Sequence, residues 1–262
     1  MKTVVISGAS SGIGRALSEI FVKDGYKVYN LSRRPSDAEG VLSIKTDVTD
    51  EQSVIDAFAR IESESESVDI VIANAGFGIS GAIEFTDTEE AKRQFDVNFF
   101  GVLNVIKAAM PALRRSRGRI MATSSVAAVY AIPFQSFYSG SKASVTMMMS
   151  ALANEVRPFG VSACSVMLGD TKTGFTDARE KLHKGDDIYG GAISRSVAVM
   201  EHDERHGTPA EKVASKIAKI AKRKKVKNKY VIGFAYKFLA ALDKILPAGV
   251  VNRLVGMIYI KK

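Results

Sequence analysis

Short apolar, β-branched runs alternate along the chain with segments that repeat apolar positions every three to four residues. Thr3–Ser7, Lys27–Ser32, Val41–Thr46, Val68–Ala73, Arg119–Ser124 and Val161–Leu168 predict strands buried on both faces. Arg15–Lys23, Glu51–Ile61, Glu89–Arg115 and Ser141–Pro158, which lie between them, predict helices. Ala210–Arg223 places Val213, Ile217 and Ile220 on one face of a further helix, and Lys229–Ile232 reads as a seventh strand. Strands separated by helices predict βαβ units and an α/β fold, with one doubly wound parallel sheet of about seven strands in a domain over 1–234. Beyond it, 235–262 reads as an amphipathic helical extension. Phe238, Leu239, Leu242, Ile245 and Leu246 form one apolar stripe. After Pro247 and Gly249, residues Val250, Val251, Leu254, Val255 and Ile258 form a second.

Of the 262 residues 46% are hydrophobic and 25% charged, enough to build a core and to exclude disorder as the main state. No apolar run reaches the ~18–20 residues that span a bilayer as a helix. The single cysteine, Cys164, excludes an intramolecular disulfide and suits a reducing compartment. Its place in an apolar strand predicts a buried, inert thiol. The first apolar stretch, Val4-Val5-Ile6, is too short for a signal core, so a cytoplasmic protein is expected. The net charge of +9 is concentrated in Glu211–Lys229, which carries nine Lys/Arg and one acid. No reading module or interleaved aromatics accompany that segment, so no nucleic-acid partner is expected. His183, His202 and His206 lack metal-ligand spacing and read as exposed loop residues, and no metal is expected. A GxSxG elbow for a serine hydrolase is also missing.

The first strand runs into Ser7-Gly8-Ala9-Ser10-Ser11-Gly12-Ile13-Gly14, which opens the first helix. Glycines there permit a tight turn and close backbone approach to a pyrophosphate at a helix N-terminus, the Rossmann arrangement. The second strand ends in Asn30-Leu31-Ser32-Arg33-Arg34, with no acid to hold a ribose 2′-hydroxyl. Arg33 and Arg34 favour a 2′-phosphate and hence NADP(H) over NAD(H); the alternative is two solvated arginines. Tyr138 and Lys142 are spaced to share a helix face. A nearby ammonium lowers a phenol's pKa, which suits proton exchange with a carbonyl or alcohol oxygen.

SGxxxGIG near the start, Asn74-Ala75-Gly76 after the fourth strand and YxxxK past the fifth together resemble the short-chain dehydrogenase/reductase family, over about Lys2 to Ile232. The resemblance implies a catalytic tetrad. Tyr138 would be the general acid/base. Lys142 would tune it and hold the nicotinamide ribose. Ser125, placed 13 positions before the tyrosine, would bond the substrate oxygen. Asn98 would hold a water in a proton relay. It also implies that the cofactor lies along Gly8, Ser10, Ser11, Gly12, Ile13, Gly14, Arg33 and Arg34. Asp47 and Val48 would flank its adenine, and Asn74, Ala75 and Gly76 would pass beside it. Gly169, Thr171 and Thr173 would hold its carboxamide end. Leu168 stands where the family usually has proline, leaving that loop without its usual stiffener.

The family position of 174–207 implies a substrate lid. Phe175, Tyr189 and Met200 within it, and Phe134 before Tyr138, are candidate substrate contacts or core residues. Met147-Met148-Met149 reads as core or as a subunit interface, and a homodimer or homotetramer is expected. The 235–262 extension either covers the lid, packs on a neighbouring subunit or lies on an anionic membrane, with Lys222–Lys229 adding charge. The expected activity is NADP(H)-dependent interconversion of a ketone or aldehyde with an alcohol on an apolar steroid-like, retinoid or long-chain substrate. The alternative is an NADPH-binding regulator or scaffold with little turnover.

Overall fold

Every residue of the first strand, Thr3–Ser7, is buried, as its unbroken apolar run requires when helices cover both faces of a sheet. The computed structural model describes residues 1–243 and 245–260. Seven strands make the sheet: β1 (Thr3–Ser7), β2 (Lys27–Ser32), β3 (Val41–Lys45), β4 (Ile70–Ala73), β5 (Arg119–Ser125), β6 (Ser162–Leu168) and β7 (Lys229–Val231). Their order is β3-β2-β1-β4-β5-β6-β7, and every pairing is parallel. The order reverses direction between β1 and β4. That switch opens a crevice at the carboxyl edge of the sheet, where α/β proteins of this kind bind ligands.

One face packs Val71 and Ile120 against Phe58, Val105 and Met149 from the helices α2 (Glu51–Glu64), α4 (Gly101–Ser116) and α5 (Ser136–Glu155). The other packs Ile6, Ile72 and Cys164 against Leu17 and Phe21 of α1 (Gly12–Lys23) and Ile217 of α8 (Ala210–Ala221). Cys164 is fully buried, and burial pushes its thiol up to about 12, as expected of an inert core sulfur.

The helix expected over Glu89–Arg115 is interrupted. α3 (Thr88–Phe95) passes into a π-helical turn at Asp96–Phe100 before α4 begins. Asn98 lies inside that turn, fully buried. α5 starts at Ser136, five residues before the expected Ser141, and therefore carries both Tyr138 and Lys142.

Beyond β6 the segment 174–207 is a folded cap containing α6 (Phe175–Ala178) and α7 (Ala192–Arg205). A two-residue strand, Glu180–Lys181, pairs with Ile79–Ser80. His183, His202 and His206 are exposed, as expected, although His202 belongs to α7 rather than to a loop. The extension forms two helices, α9 (Phe234–Leu242) and α10 (Ala248–Tyr259), which bend back over the carboxyl edge, with α10 against α7.

Lys222–Lys229 does not lie beside them. It precedes β7 and so sits at the amino edge, where Arg119, the first residue of β5, donates to the Ile220 and Arg223 carbonyls at 3.2 and 2.7 Å. The depth of the sheet separates this basic cluster from α9 and α10. The expectation that it reinforces them fails on topology. Among the described residues no helix is long and apolar enough to cross a membrane.

Candidate active site

The crevice at the switch point is one continuous cleft of about 1130 Å³, running from the Gly-rich turn past Tyr138 to α9 and α10. At its first end the turn is built for close backbone approach. Gly8 has φ +70, and a Cβ there would meet the Ala75 Cα at 2.8 Å. A Cβ on Gly14 would overlap the Gly8 carbonyl and sit 2.8 Å from the Asn74 amide. Asn74 donates from Nδ2 to the Gly8 carbonyl at 3.3 Å. The Ser7 hydroxyl accepts from the Asn74 and Ala75 N–H groups at 3.0 and 3.1 Å. Asn74 and Ala75 are thus the splint that ties β1 to β4 beneath the turn.

The Ser11 side chain makes no cap bond to α1, which leaves the first-turn N–H groups of that helix facing the cleft. Ser10, Ser11, Gly12 and Ile13 line this end, as do Arg33 and Arg34. Both arginines are exposed, and among the described residues neither pairs with a carboxylate. Ser32 and Asn30 fix their loop by donating to the Arg34 carbonyl at 2.8 and 3.4 Å. Across the cleft Asp47 accepts from the Thr49 N–H at 3.0 Å, and buried Val48 fills the space beside Gly101. A glycine cradle, an uncapped helix start and two unpaired arginines fit a phosphorylated dinucleotide.

Deeper in, Lys142 is buried and Tyr138 half-buried, one helical turn apart. The Lys142 ammonium lies 5.7 Å from the Tyr138 ring centre and donates to the Thr123 carbonyl at 3.2 Å. Burial lowers Lys142 to about 8. Burial also raises Tyr138 to about 12, opposed by the Ser125 hydroxyl and by Arg179, and reinforced by Glu204 and Asp170. The downward pull of Lys142 on Tyr138 expected from their spacing is not what opposes burial here; the Ser125 hydroxyl and Arg179 do, and burial prevails. At neutral pH the phenol is protonated, the state needed to give a proton to a carbonyl oxygen.

The two adjacent serines are separated by their partners. Ser124 is buried and bonded to the Lys142 carbonyl at 3.0 Å and to the Thr146 hydroxyl at 2.7 Å. Ser125 lies beside Tyr138 and accepts from the Ala127 N–H at 3.1 Å. Asn98 grips the turn after β4. Its Oδ1 accepts from the Phe77 N–H, and its Nδ2 donates to the Phe77 carbonyl and to Ser141 Oγ, all at 3.1 Å. Both amide hydrogens are thus committed to protein, and only a lone pair on Oδ1 remains for a water.

Gln94, which the sequence did not single out, also clamps this turn. It donates to the Phe77 carbonyl and accepts from the Ile79 N–H, each at 2.7 Å. Gly76 is closely packed: a Cβ would lie 3.0 Å from Asn98 Oδ1 and 3.4 Å from Lys142 Nζ.

The loop after β6 brings Gly169, Thr171 and Thr173 to the cleft. Thr171 donates to the Gly169 carbonyl at 2.9 Å, and Thr173 Oγ1 accepts from the Phe175 N–H at 3.1 Å. Where proline is absent at Leu168, a side-chain clamp holds the loop. Tyr236 of α9 donates to Asp170 Oδ2 at 2.6 Å and accepts from the Asp170 N–H at 3.0 Å. A Cβ on Gly169 would overlap the Tyr236 ring. Neither Asp170 nor Tyr236 was a candidate from sequence, because the C-terminal stripe reads as apolar packing and hides a tyrosine with a polar task.

Of the four candidate apolar contacts, Phe175 alone lines the cleft, its ring 5.8 Å from that of Tyr138. Phe134 and Tyr189 pack on each other at 5.5 Å, and Met200 is core. The far wall comes from the extension and is mostly apolar, with Leu239, Leu242, Leu246, Val251, Val255 and Ile258 beside the hydroxyl-bearing Tyr236 and Tyr259.

The family described as short chain dehydrogenase matches residues 2–183. A 3-ketodihydrosphingosine reductase of Bacteroides thetaiotaomicron is 40% identical over 245 residues, 92% of this chain and 91% of its own. A probable short-chain type dehydrogenase/reductase of Helicobacter pylori is 32% identical over 93% of each chain. The crystal structure of a short-chain dehydrogenase from Streptomyces avermitilis superposes with a TM-score of 0.81 at 25% identity, covering 93% of each chain.

Proposed function

The chain belongs to the short-chain dehydrogenase/reductase family and is an NAD(P)-dependent oxidoreductase of the carbonyl/alcohol pair; on that premise we propose that it uses NADPH to reduce the ketone of a long-chain lipid. One observation carries the substrate class: beyond Tyr138 the cleft is walled by apolar side chains of α9 and α10. Such a wall removes an alkyl chain from water, and each buried methylene adds to affinity. Among the apolar classes suggested by the sequence, the long-chain one also agrees with the B. thetaiotaomicron relative, whose named substrate is the keto form of a sphingoid base. The steroid and retinoid classes have no such support.

In this reading Gly8, Gly12, Gly14 and the start of α1 would hold the pyrophosphate, and Arg33 and Arg34 would hold the 2′-phosphate. Asp47 and Val48 would hold the adenine, and Thr171 and Thr173 the carboxamide. The nicotinamide supplies a hydride when bound. Ser125 donates a hydrogen bond to the substrate oxygen, where negative charge develops. Tyr138 transfers its proton to that oxygen. Lys142, charged below about pH 8, stabilises the phenolate left behind. Asn98 holds the 76–77 turn against α5 and offers Oδ1 to a water behind Lys142. The cap 174–207 excludes water, with Phe175 lying against Tyr138.

Subunits of this reading pair through α4 and α5, where Met147 of α5 and Phe100, the last residue of the π-helical turn before α4, are exposed. Met149 is core and Met148 partly so, so of the three methionines Met147 is left to such an interface.

The test is NADPH oxidation, followed by absorbance, with a 3-keto sphingoid base, a long-chain ketone, a steroid ketone and a small sugar ketone. Turnover on the first two that Tyr138→Phe abolishes supports the reading. Tight NADPH binding without turnover on any of them would instead favour a cofactor-binding regulator.

A further inference from the structure

We propose that the outer face of α9 and α10 docks on an anionic lipid bilayer, so that the cleft opens against the membrane. Phe234 and Phe238 are 88% and 61% exposed, and Ile245 is 78% exposed. None of these three lines the cleft. Leu239, Leu254 and Ile258 do line it and are also exposed, which places them at its rim. The same extension therefore walls the cleft on one side and offers Phe234 and Phe238 of α9, and Ile245 from the connection to α10, to solvent on the other. Single exposed apolar residues are ordinary, but several large ones along one short extension mark an interaction surface.

Charge selects the occupant. Residues 235–262 carry five basic side chains, Lys237, Lys244, Arg253, Lys261 and Lys262, against one acid, Asp243. An amphipathic helix with a basic complement suits the interface of an anionic leaflet. A second copy of the chain suits it less, because a two-fold contact sets the same patch on both sides and would bring like charges together. α9 and α10 have 9 and 12 residues, too short to span the ~30 Å hydrocarbon layer at ~1.5 Å per residue, so they lie on the surface. The Lys222–Lys229 cluster, at the opposite edge of the sheet, takes no part. Docking of this kind needs no turnover and stands apart from the substrate reading.

The full chain is centrifuged with phosphatidylcholine vesicles with and without phosphatidylserine. Two variants are compared, Phe234→Ser/Phe238→Ser/Ile245→Ser and Lys237→Glu/Arg253→Glu, with thermal unfolding and NADPH binding checking that each is folded. The wild-type chain is expected to sediment with phosphatidylserine vesicles, less at high salt. Each variant is expected to partition at least about tenfold less. Wild-type protein that stays in the supernatant would overturn the proposal, as would variants that bind as well as wild type. A serine variant that turns a stable oligomer into monomers would also overturn it, assigning the face to a neighbouring subunit.

Discussion

Tyr236 and Asp170 hold each other through two hydrogen bonds, the Tyr236 hydroxyl donating to the carboxylate at 2.6 Å and accepting from the backbone N–H at 3.0 Å. Asp170 follows the strand that carries the loop to Thr173, and Tyr236 belongs to the helix that walls the substrate end. The contact joins the loop after β6 to the wall at the far end of the cleft. Tyr236→Phe keeps the ring and leaves a half-buried carboxylate and an N–H without their partner. A stability loss of about 1–3 kcal/mol is expected in urea unfolding. A several-fold rise in substrate KM should accompany it, with a smaller change in kcat.

Gly169→Ala tests the same junction from the other side. Its methyl group would overlap the Tyr236 ring, so α9 must shift. The double substitution Gly169→Ala/Tyr236→Ala is expected to be clearly less destabilised than the sum of its singles, because both remove one contact. Strict additivity in thermal unfolding would count against the junction.

Tyr138→Phe removes the only proton that the proposed mechanism delivers to the substrate oxygen. Single-turnover reduction is expected to slow by about 10²–10⁴-fold, with NADPH affinity nearly unchanged. A parallel loss of NADPH binding would mean that Tyr138 is structural.

Lys142 makes a pH-dependent prediction. Its folded value is depressed to about 8 from 10.5. Below about pH 8 the ammonium is charged in both states, and its burial opposes folding in full. Between about 8 and 10.5 the folded state is already neutral while the unfolded chain still binds the proton, so the penalty fades. Lys142→Met should therefore raise stability at pH 7 by on the order of 1–3 kcal/mol, less the lost bond to Thr123, and the gain should vanish toward pH 10.5. Reduction by the wild-type enzyme should decline as pH rises through about 8, where the ammonium is lost. Denaturation of both proteins across pH 6–10.5 checks the first point, and a kcat/KM profile the second.

Arg33→Ala should weaken NADPH by about ten- to a hundredfold and NADH hardly at all, if the guanidinium holds the 2′-phosphate as proposed. Equal weakening in fluorescence titrations would make Arg33 an ordinary surface residue.

Much of this was legible in the sequence because it rests on local pattern. Continuous apolar runs gave all seven sheet strands to within two residues or so, and both C-terminal helices were foreshadowed by their stripes. Ser125, Tyr138 and Lys142 converge in the structure, and the glycine turn forms as its spacing implies. The π-helical turn at Asp96–Phe100 was not legible, since one inserted residue leaves helical periodicity almost intact. Nor were Gln94, Asp170 and Tyr236, whose partners lie 15 to 66 positions away in sequence. The basic cluster misled for the same reason: Lys229 stands five residues before Phe234, but a strand and the depth of the sheet separate them in space.

The most direct test of the central claim is the dependence of kcat/KM on chain length across a series of otherwise identical 3-ketones with NADPH. If α9 and α10 wall the alkyl site, kcat/KM should climb with each added methylene, by up to about fourfold per step, until the cleft is filled. Substituting Leu242 or Leu246 with serine should flatten that climb. A series that is flat in the wild-type enzyme, or highest for the shortest ketone, would contradict a long-chain substrate.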